Sequence, residues 1–270
     1  MTLRARSVEG RAALLLAGGA GTRLRPLSSD ERPKQFLRIF DGQSLLRMTY
    51  ERVRDLAVFV STNERYRDLV RDEIPELDDD RIIAEPSRRN TAPAIALSCF
   101  EIASRLGEDV SISCLPADHY IANGFRRVLD RAFDFAESHD ALVTIGIKPT
   151  EPHTGYGYLE LGDEIASDVV QVKRFVEKPD ATRAAEFLRA GNYAWNAGMF
   201  IWRASVFRRA LQQYAPDMAS VTRETYDNAP SISIDYALME KATNVVAVRG
   251  DFDWSDVGSW EALKKIIPEI

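Results

Sequence analysis

Gly18, Gly19 and Gly21 follow an apolar run and lead into Arg23 in the stretch "LLLAGGAGTRLRPLS", and Lys34 follows in "RPKQF". Glycines let backbone N–H groups approach an anion closely. A guanidinium can fork onto phosphate oxygens and an ammonium adds a point charge. These residue types at this spacing point to a site for a phosphate-like anion. Neither common glycine fingerprint is met: a dinucleotide loop would place a third glycine where Leu24 stands, and a Walker A loop would read Gly-Lys-Ser/Thr. For the glycines alone, a tight turn with solvated charges is an equal alternative; the two cations on a net-acidic chain favour the anion site.

The elements that must position this loop alternate in type. Apolar, β-branched runs predict strands at "AALLLAG" (12–18), "AVFVST" (57–62), "RIIAE" (81–85) and "ALVTIGI" (141–147), and "VSISCLPADHY" (110–120) reads as a strand running into a loop. Helical patterns lie between them. "SLLRMTYERVRDL" opens on the cap Ser44, "NERYRDLVRDEI" on Asn63, and "TAPAIALSCFEIASRLG" carries Pro93 in its first turn. "FRRVLDRAFDFAESH" completes the set. Strands separated by helices predict βαβ units, a mostly parallel sheet and helices on both faces. Ligands of such sheets bind at the carboxyl ends of the strands, where the glycine loop, "EPSRRN" and "PADH" all fall. In the second half, "GYGYLELG", "VVQVKRFVEKP" and "WNAGMFIW" read as extended, and "ASVFRRALQQY" and "SIDYALMEKA" as helical. This half is expected to extend the same sheet with an antiparallel subregion, giving one α/β domain over residues 1–270.

The bulk numbers narrow the class. With 270 residues, a formal net charge of -6 and 45% apolar residues, the chain can bury a sizeable core and is not a general nucleic-acid binder. Cys99 and Cys114 form no metal-type pair and read as buried, reduced thiols. The charged start "MTLRARSVEGR" lacks an apolar core, so no signal peptide is expected, and no apolar run approaches membrane-spanning length. A cytoplasmic protein without nucleic-acid or membrane partners is the resulting expectation.

The loop and "RPKQF" together resemble the signature of sugar-1-phosphate nucleotidyltransferases. "EPSRRNTAPAIAL", "LPADHYI", "TGYGYLELG", "FVEKPD", "WNAGMFIW", "SIDYALMEK" and "DWSDVGSW" narrow the resemblance to mannose-1-phosphate guanylyltransferases, in that family's order and over nearly the whole chain. The resemblance implies a Rossmann-like nucleotidyltransferase domain, with a nucleotide-binding half at about 12–150 and a sugar-phosphate half at about 151–260. It implies transfer of GMP from GTP to mannose 1-phosphate, giving GDP-mannose and pyrophosphate with Mg2+. Two other readings remain: nucleotidyl transfer to a related sugar 1-phosphate such as a manno-heptose, and a catalytically silent paralogue that senses GDP-sugar. Many members continue past "VGSW" into a β-helix or an isomerase domain, and a homodimer is a possible assembly.

The resemblance also assigns roles. Arg23 and Lys34 suit the triphosphate, Lys178 the phosphate of the sugar, and Asp118 and Asp256 are the metal pair. Asp253 competes with Asp256, and the residues alone do not separate them. The nucleotide is expected on Leu16, Ala17, Gly18, Gly19, Gly21 and Thr22, with guanine near Glu85, Asn90 and Pro116. The sugar is expected on Glu177 and Asn196, with Gly155 allowing close approach, Tyr156 beside it, and Asp235 shaping that end. A phosphomonoester is largely dianionic at neutral pH, with its second pKa near ~6. It needs no general base, so His119 reads as structural or orienting.

Overall fold

Hydrophobic alternation sets the frame. Ala13 and Leu15 of the first strand face one core, and Ala12 and Leu14 face another, so the sheet is buried on both sides. The structure is a computed structural model that describes residues 10–19 and 21–270; the N-terminal stretch read for a signal peptide and Ala20 of the glycine loop lie outside the described residues.

The first half runs β1 (Arg11–Leu16), α1 (Leu45–Val53), β2 (Ala57–Asn63), α2 (Arg67–Glu73), β3 (Ile82–Glu85), α3 (Thr91–Leu106), β4 (Ser111–Pro116), β5 (Tyr120–Ile121), α4 (Phe125–Ser138) and β6 (Leu142–Ile147). The second half runs β7 (Tyr158–Ala166), β8 (Val169–Val176), α5 (Ala181–Ala190), β9 (Tyr193–Arg203), α6 (Ala204–Tyr214), β10 (Val245–Gly250), β11 (Trp254–Ser255) and α7 (Trp260–Ile266).

The nine-stranded sheet has the order β3-β2-β1-β4-β9-β6-β10-β8-β7, and β7 returns to pair with β9. It is a Rossmann-like α/β sheet in which β1 is parallel to β2 on one side and to β4 on the other. The chain leaves β1 toward β2 and β3, then crosses to β4, so the order reverses between β1 and β4 and opens a crevice at their carboxyl ends. The second half does extend the same sheet. Its strand β9 inserts antiparallel between β4 and β6, and β8 is antiparallel to β10. The sheet is therefore mixed, with the parallel run confined to β3-β2-β1-β4 and to the pair β6–β10.

Local signals explain most boundaries. Ser44 Oγ accepts from Arg47 N at 3.1 Å and starts α1. Asn90 Oδ1 accepts from Thr91 N at 2.8 Å and starts α3, which stops at Gly107. The first strand ends at Leu16, so Gly18 lies in the loop rather than in the strand. Asn63 caps a 3-10 turn, and the α-helix proper begins only at Arg67. "SIDYALMEKA" forms only a π-helical turn, Asp235–Met239. Helix α5 was not apparent from apolar patterning because only Ala184 and Phe187 of it are buried; its signal was the cap Asp180 and the terminal Gly191. Strand β10 is a fully committed core strand despite its short run of valines.

Cys99 and Cys114 are free and buried, as expected, facing each other between α3 and β4. A third, smaller core of Leu24, Phe40, Leu45, Val257 and Leu263 ties the turn after the glycine loop to the C-terminal helix. A two-stranded ribbon pairs β5 with β11, with Ser255 opposite Tyr120 and Trp254 opposite Ile121. Asp118 lies just before β5 and Asp256 just after β11, so this antiparallel pairing brings both aspartates to one end of the ribbon.

Candidate active site

A cavity of about 490 Å³ opens at the carboxyl ends of β1 and β4. Leu16, Gly18, Gly19, Glu85, Asn90, Pro116 and Asp118, all expected in the nucleotide site, line it. Ala17 is buried beneath the loop, where its carbonyl accepts from Gln35 Nε2 at 2.8 Å and from Thr62 Oγ1 at 3.1 Å. Gln35 Nε2 also donates to Gly19 O at 2.9 Å, so one buried amide clamps both ends of the loop's first turn. A larger groove of about 730 Å³, lined by Arg11 and its partners Asp134 and Glu137, opens elsewhere and touches none of the expected site residues.

Beyond Gly21, residues Thr22–Leu24 make a 3-10 turn over Lys34. Gly21 has φ +60, and a Cβ there would lie 2.7 Å from Lys34 N and 2.8 Å from Lys34 Cβ. Only glycine fits both the backbone and the space. Lys34 is buried, and its Nζ lies 2.8 Å from Asp118 Oδ2, donates to Asp256 O at 2.5 Å and contacts Val257 O at 3.5 Å. Arg23 is largely exposed, with one guanidinium nitrogen 3.7 Å from Asp256 Oδ2. The other oxygen of Asp256 accepts from Gly258 N at 2.9 Å and from the Tyr156 hydroxyl at 3.1 Å. Asp253 is exposed and lines a groove with Tyr156 and Trp254, whereas Asp256 is the one that contacts Lys34 and Arg23.

The electrostatics follow from these contacts. Burial opposes ionisation of Asp118, but the Lys34 ammonium outweighs it and holds the carboxyl below its usual range. His119 is pushed down by burial. Its Nδ1 accepts from Trp254 Nε1 at 3.2 Å, and its Nε2 lies 3.7 Å from Asp118 Oδ1. With Nδ1 used as an acceptor, the neutral ring carries its proton on Nε2 and has no free lone pair for a base. An orienting role fits, as the sequence suggested.

The second cluster is built on β8 and β9. Asn196 Oδ1 accepts from Thr144 Oγ1 at 2.9 Å and from Gly198 N at 3.2 Å, and its Nδ2 donates to Asp235 at 3.2 Å. One amide N–H of Asn196 has no protein partner among the described residues and is free for a ligand. Lys178 Nζ pairs with Glu177 Oε1 at 2.5 Å; burial works to lower the lysine, and Glu177 outweighs it and raises it. Asp235 joins the clusters, because it lines the nucleotide cavity, binds Asn196 and is pushed up to about 6 by burial and by Glu177.

Two expected residues sit differently. Gly155 packs on His153, whose Nδ1 accepts from its N–H at 3.1 Å, whereas Gly157 lies against Glu177 and Asn196. A Cβ on Gly157 would stand 2.6 Å from Glu177 Oε2. Tyr156 is stacked on His153 and held to Asp256 rather than facing Asn196. Gln35, Gly157 and Tyr226 were missed. The first two sit inside quoted motifs, one residue from Lys34 and Tyr156. Tyr226 carries no motif, yet its hydroxyl donates to Glu85 Oε2 at 2.9 Å.

The fold and the cleft define a Rossmann-like α/β protein with a phosphate-type loop and a paired-aspartate cluster at its strand ends. Residues 12–270 match the family model described as nucleotidyl transferase, and the chain belongs to that family. It is 42% identical to a mannose-1-phosphate guanylyltransferase of Sinorhizobium fredii over 93% of this chain and 54% of that protein. It is 41% identical to one of Escherichia coli over 95% of this chain and 60% of that protein. The chain thus spans little more than half the length of these curated relatives. The crystal structure of a mannose-1-phosphate geranyltransferase from Thermus thermophilus superposes with a TM-score of 0.88 at 35% identity, covering 96% of this chain and 79% of that one. Nucleotidyltransferases of this family generally use a divalent metal. No helix among the described residues is long and apolar enough to cross a membrane.

Two consequences can be measured. Burial pushes Glu85 up to about 7, against its hydrogen bond from Tyr226. The unfolded carboxyl ionises near ~4.5 while the folded one stays protonated, so this group's contribution to stability is lost as pH rises from the unfolded value through about 7. Glu85→Gln should remove up to about 3 kcal/mol of that decline, read by urea unfolding at pH 5 and pH 8. An unchanged pH slope would contradict the burial described. Gly21→Ala should lower stability by about 1–3 kcal/mol in the same assay, through left-handed backbone cost and the clash with Lys34.

Proposed function

We propose that this chain transfers GMP from GTP to mannose 1-phosphate, releasing GDP-mannose and pyrophosphate. The observation that carries this reading is the linkage of Lys34, Arg23 and Asp256 to Asp118, which lines the glycine-loop cavity. The curated relatives named above support the choice of sugar and base.

An oxygen of the sugar phosphate attacks the α-phosphorus of GTP, a P–O bond forms there, and the bond to the β,γ-diphosphate breaks. No proton must leave the nucleophile, which is largely dianionic at neutral pH with a second pKa near ~6. The work of the protein is alignment and charge neutralisation. Backbone N–H groups of Gly18, Gly19, Gly21 and Thr22, with Arg23 and Lys34, would receive the triphosphate. Leu16, Ala17, Glu85, Asn90 and Pro116 would receive guanine. Lys178 would draw in the sugar phosphate, while Glu177 and the Asn196 amide, with Gly157 between them, would read the sugar, and Tyr156 would hold Asp256 in place.

Asp118 and Asp256 fit a Mg2+ ion as hard oxygen donors: the Asp118 carboxylate pairs with Lys34, and Asp256 gives Lys34 its backbone carbonyl and turns its carboxylate toward Arg23. Among the described residues no group of three or more His, Cys, Asp or Glu could hold a metal. Mg2+ takes one or two carboxylates and fills its shell with phosphate oxygens and water. When bound it would neutralise charge on the phosphates. The nucleotide half at about 12–150 and the sugar-phosphate half at about 151–260 then act as one domain, in a cytoplasmic enzyme, with a homodimer as the assembly to test.

Incubation with GTP, mannose 1-phosphate and Mg2+ should give GDP-mannose by ion-exchange chromatography. Asp118→Asn and Asp256→Asn should each lower kcat/KM by at least about 100-fold. Full activity in either variant sinks the metal assignment. A faster reaction with another nucleotide or a manno-heptose 1-phosphate replaces the substrate assignment, and GDP-mannose binding without turnover replaces catalysis with sensing.

A further inference from the structure

The protein's own groups use up Lys34. An ammonium has three N–H donors. Those of Lys34 meet Asp118 Oδ2 at 2.8 Å, Asp256 O at 2.5 Å and Val257 O at 3.5 Å. The side chain is buried and enters from below the glycine loop, with Gly21 packed against its backbone. It cannot reach a phosphate while it holds Asp118. A metal on Asp118 would have to share that carboxylate with the Lys34 ammonium, two cations on one anion. Arg23 stands in the same relation to Asp256, more loosely, at 3.7 Å and in the solvent.

We propose that Lys34 is a built-in counter-ion for Asp118 that yields only to a metal arriving with nucleotide phosphates, so that the pair couples metal entry to nucleotide binding. This rests on the metal assignment made above. The argument is one of charge balance. A metal taking Asp118 alone would set a second cation against a buried ammonium and dilute its only carboxylate. Leaving one partner of a buried pair uncompensated is strongly unfavourable. Phosphate oxygens change the balance, because they offer the displaced ammonium an anion in the same place. Metal and nucleotide then favour each other's binding, and coupling of this kind is reciprocal. Lys34 is on this account a positioning residue for Asp118 as well as a phosphate contact. A purely structural strut between the glycine loop and the Asp256–Val257 carbonyls would show no such coupling.

Mn2+ binding to the full chain, followed by electron paramagnetic resonance without nucleotide, separates these roles. Wild type should bind Mn2+ weakly. Lys34→Gln, which keeps N–H donors without the charge, and Lys34→Met should bind it at least about tenfold more tightly. Lys34→Arg, which keeps the charge, should stay near wild type. GTP should raise the Mn2+ affinity of wild type at least about tenfold more than that of Lys34→Gln. Circular dichroism on each variant confirms that folded protein is compared. Equal Mn2+ affinity in wild type, Lys34→Gln and Lys34→Met overturns the counter-ion role. Asp118→Asn, placed in wild type and in Lys34→Gln, should abolish Mn2+ binding in both. Persistence of binding there would instead overturn the metal assignment itself.

Discussion

A buried ammonium must be paired, and at Lys34 that constraint organises the site. Its carboxylate partner comes from the loop after β4 and its carbonyl partners from the loop after β11. Three distant stretches of chain are therefore pinned at one nitrogen. The glycine loop packs on the same residue's backbone: Gly21 presses on Lys34 N and Cα, and Gln35 clamps Ala17 and Gly19 from the next position. The small core of Leu24, Val257 and Leu263 closes over the same junction with apolar contacts. Polar pairing selects the arrangement and burial holds it.

The sheet explains how two sets of polar residues come to share one cleft. Strand β9 pairs with β4 on one edge and with β6 on the other. Asn196 on β9 thus stands near the glycine-loop cavity, which the loop after β4 adjoins and which Gly18, Ser61 and Glu85 close on the other side. Asp235 spans the remaining gap, binding Asn196 and lining that cavity. Glu85 and Asp235 are both carboxyls raised by burial, to about 7 and about 6. Each is a group whose hydrogen-bonding character can change within the neutral range.

Much of this was legible in the residues. The βαβ alternation, the glycine loop at a strand end and the reading of Arg23 and Lys34 as cations for an anion follow from residue types and spacing. The expected strands of the first half sit within a residue or two of where they form, apart from the glycine loop. What was not legible is of two kinds. Helix α5 buries too few side chains to show a period, and "SIDYALMEKA" has a helical pattern that its backbone realises for only one wide turn. The second kind is pairing at a distance. Neither the choice of Asp256 over Asp253, nor the contact of Tyr226 with Glu85, nor the placement of Gly157 rather than Gly155 at Glu177 is written in local spacing. Each is decided by which strand end faces which loop.

The ribbon of β5 with β11 has a consequence for how the protein comes into being. Gln35 and Asp118 leave the ribosome well before β11, and the rest of the cavity's lining follows with β9 and the stretch up to Asp235. Asp256 and the carbonyls that hold Lys34 emerge only after all of these. Until then Lys34 has only Asp118, and the loop lacks its cover of Val257 and Leu263. A nascent chain can therefore hold Lys34 against Asp118 before β11 exists, and the full set of partners at that nitrogen assembles only when β11 pairs with β5.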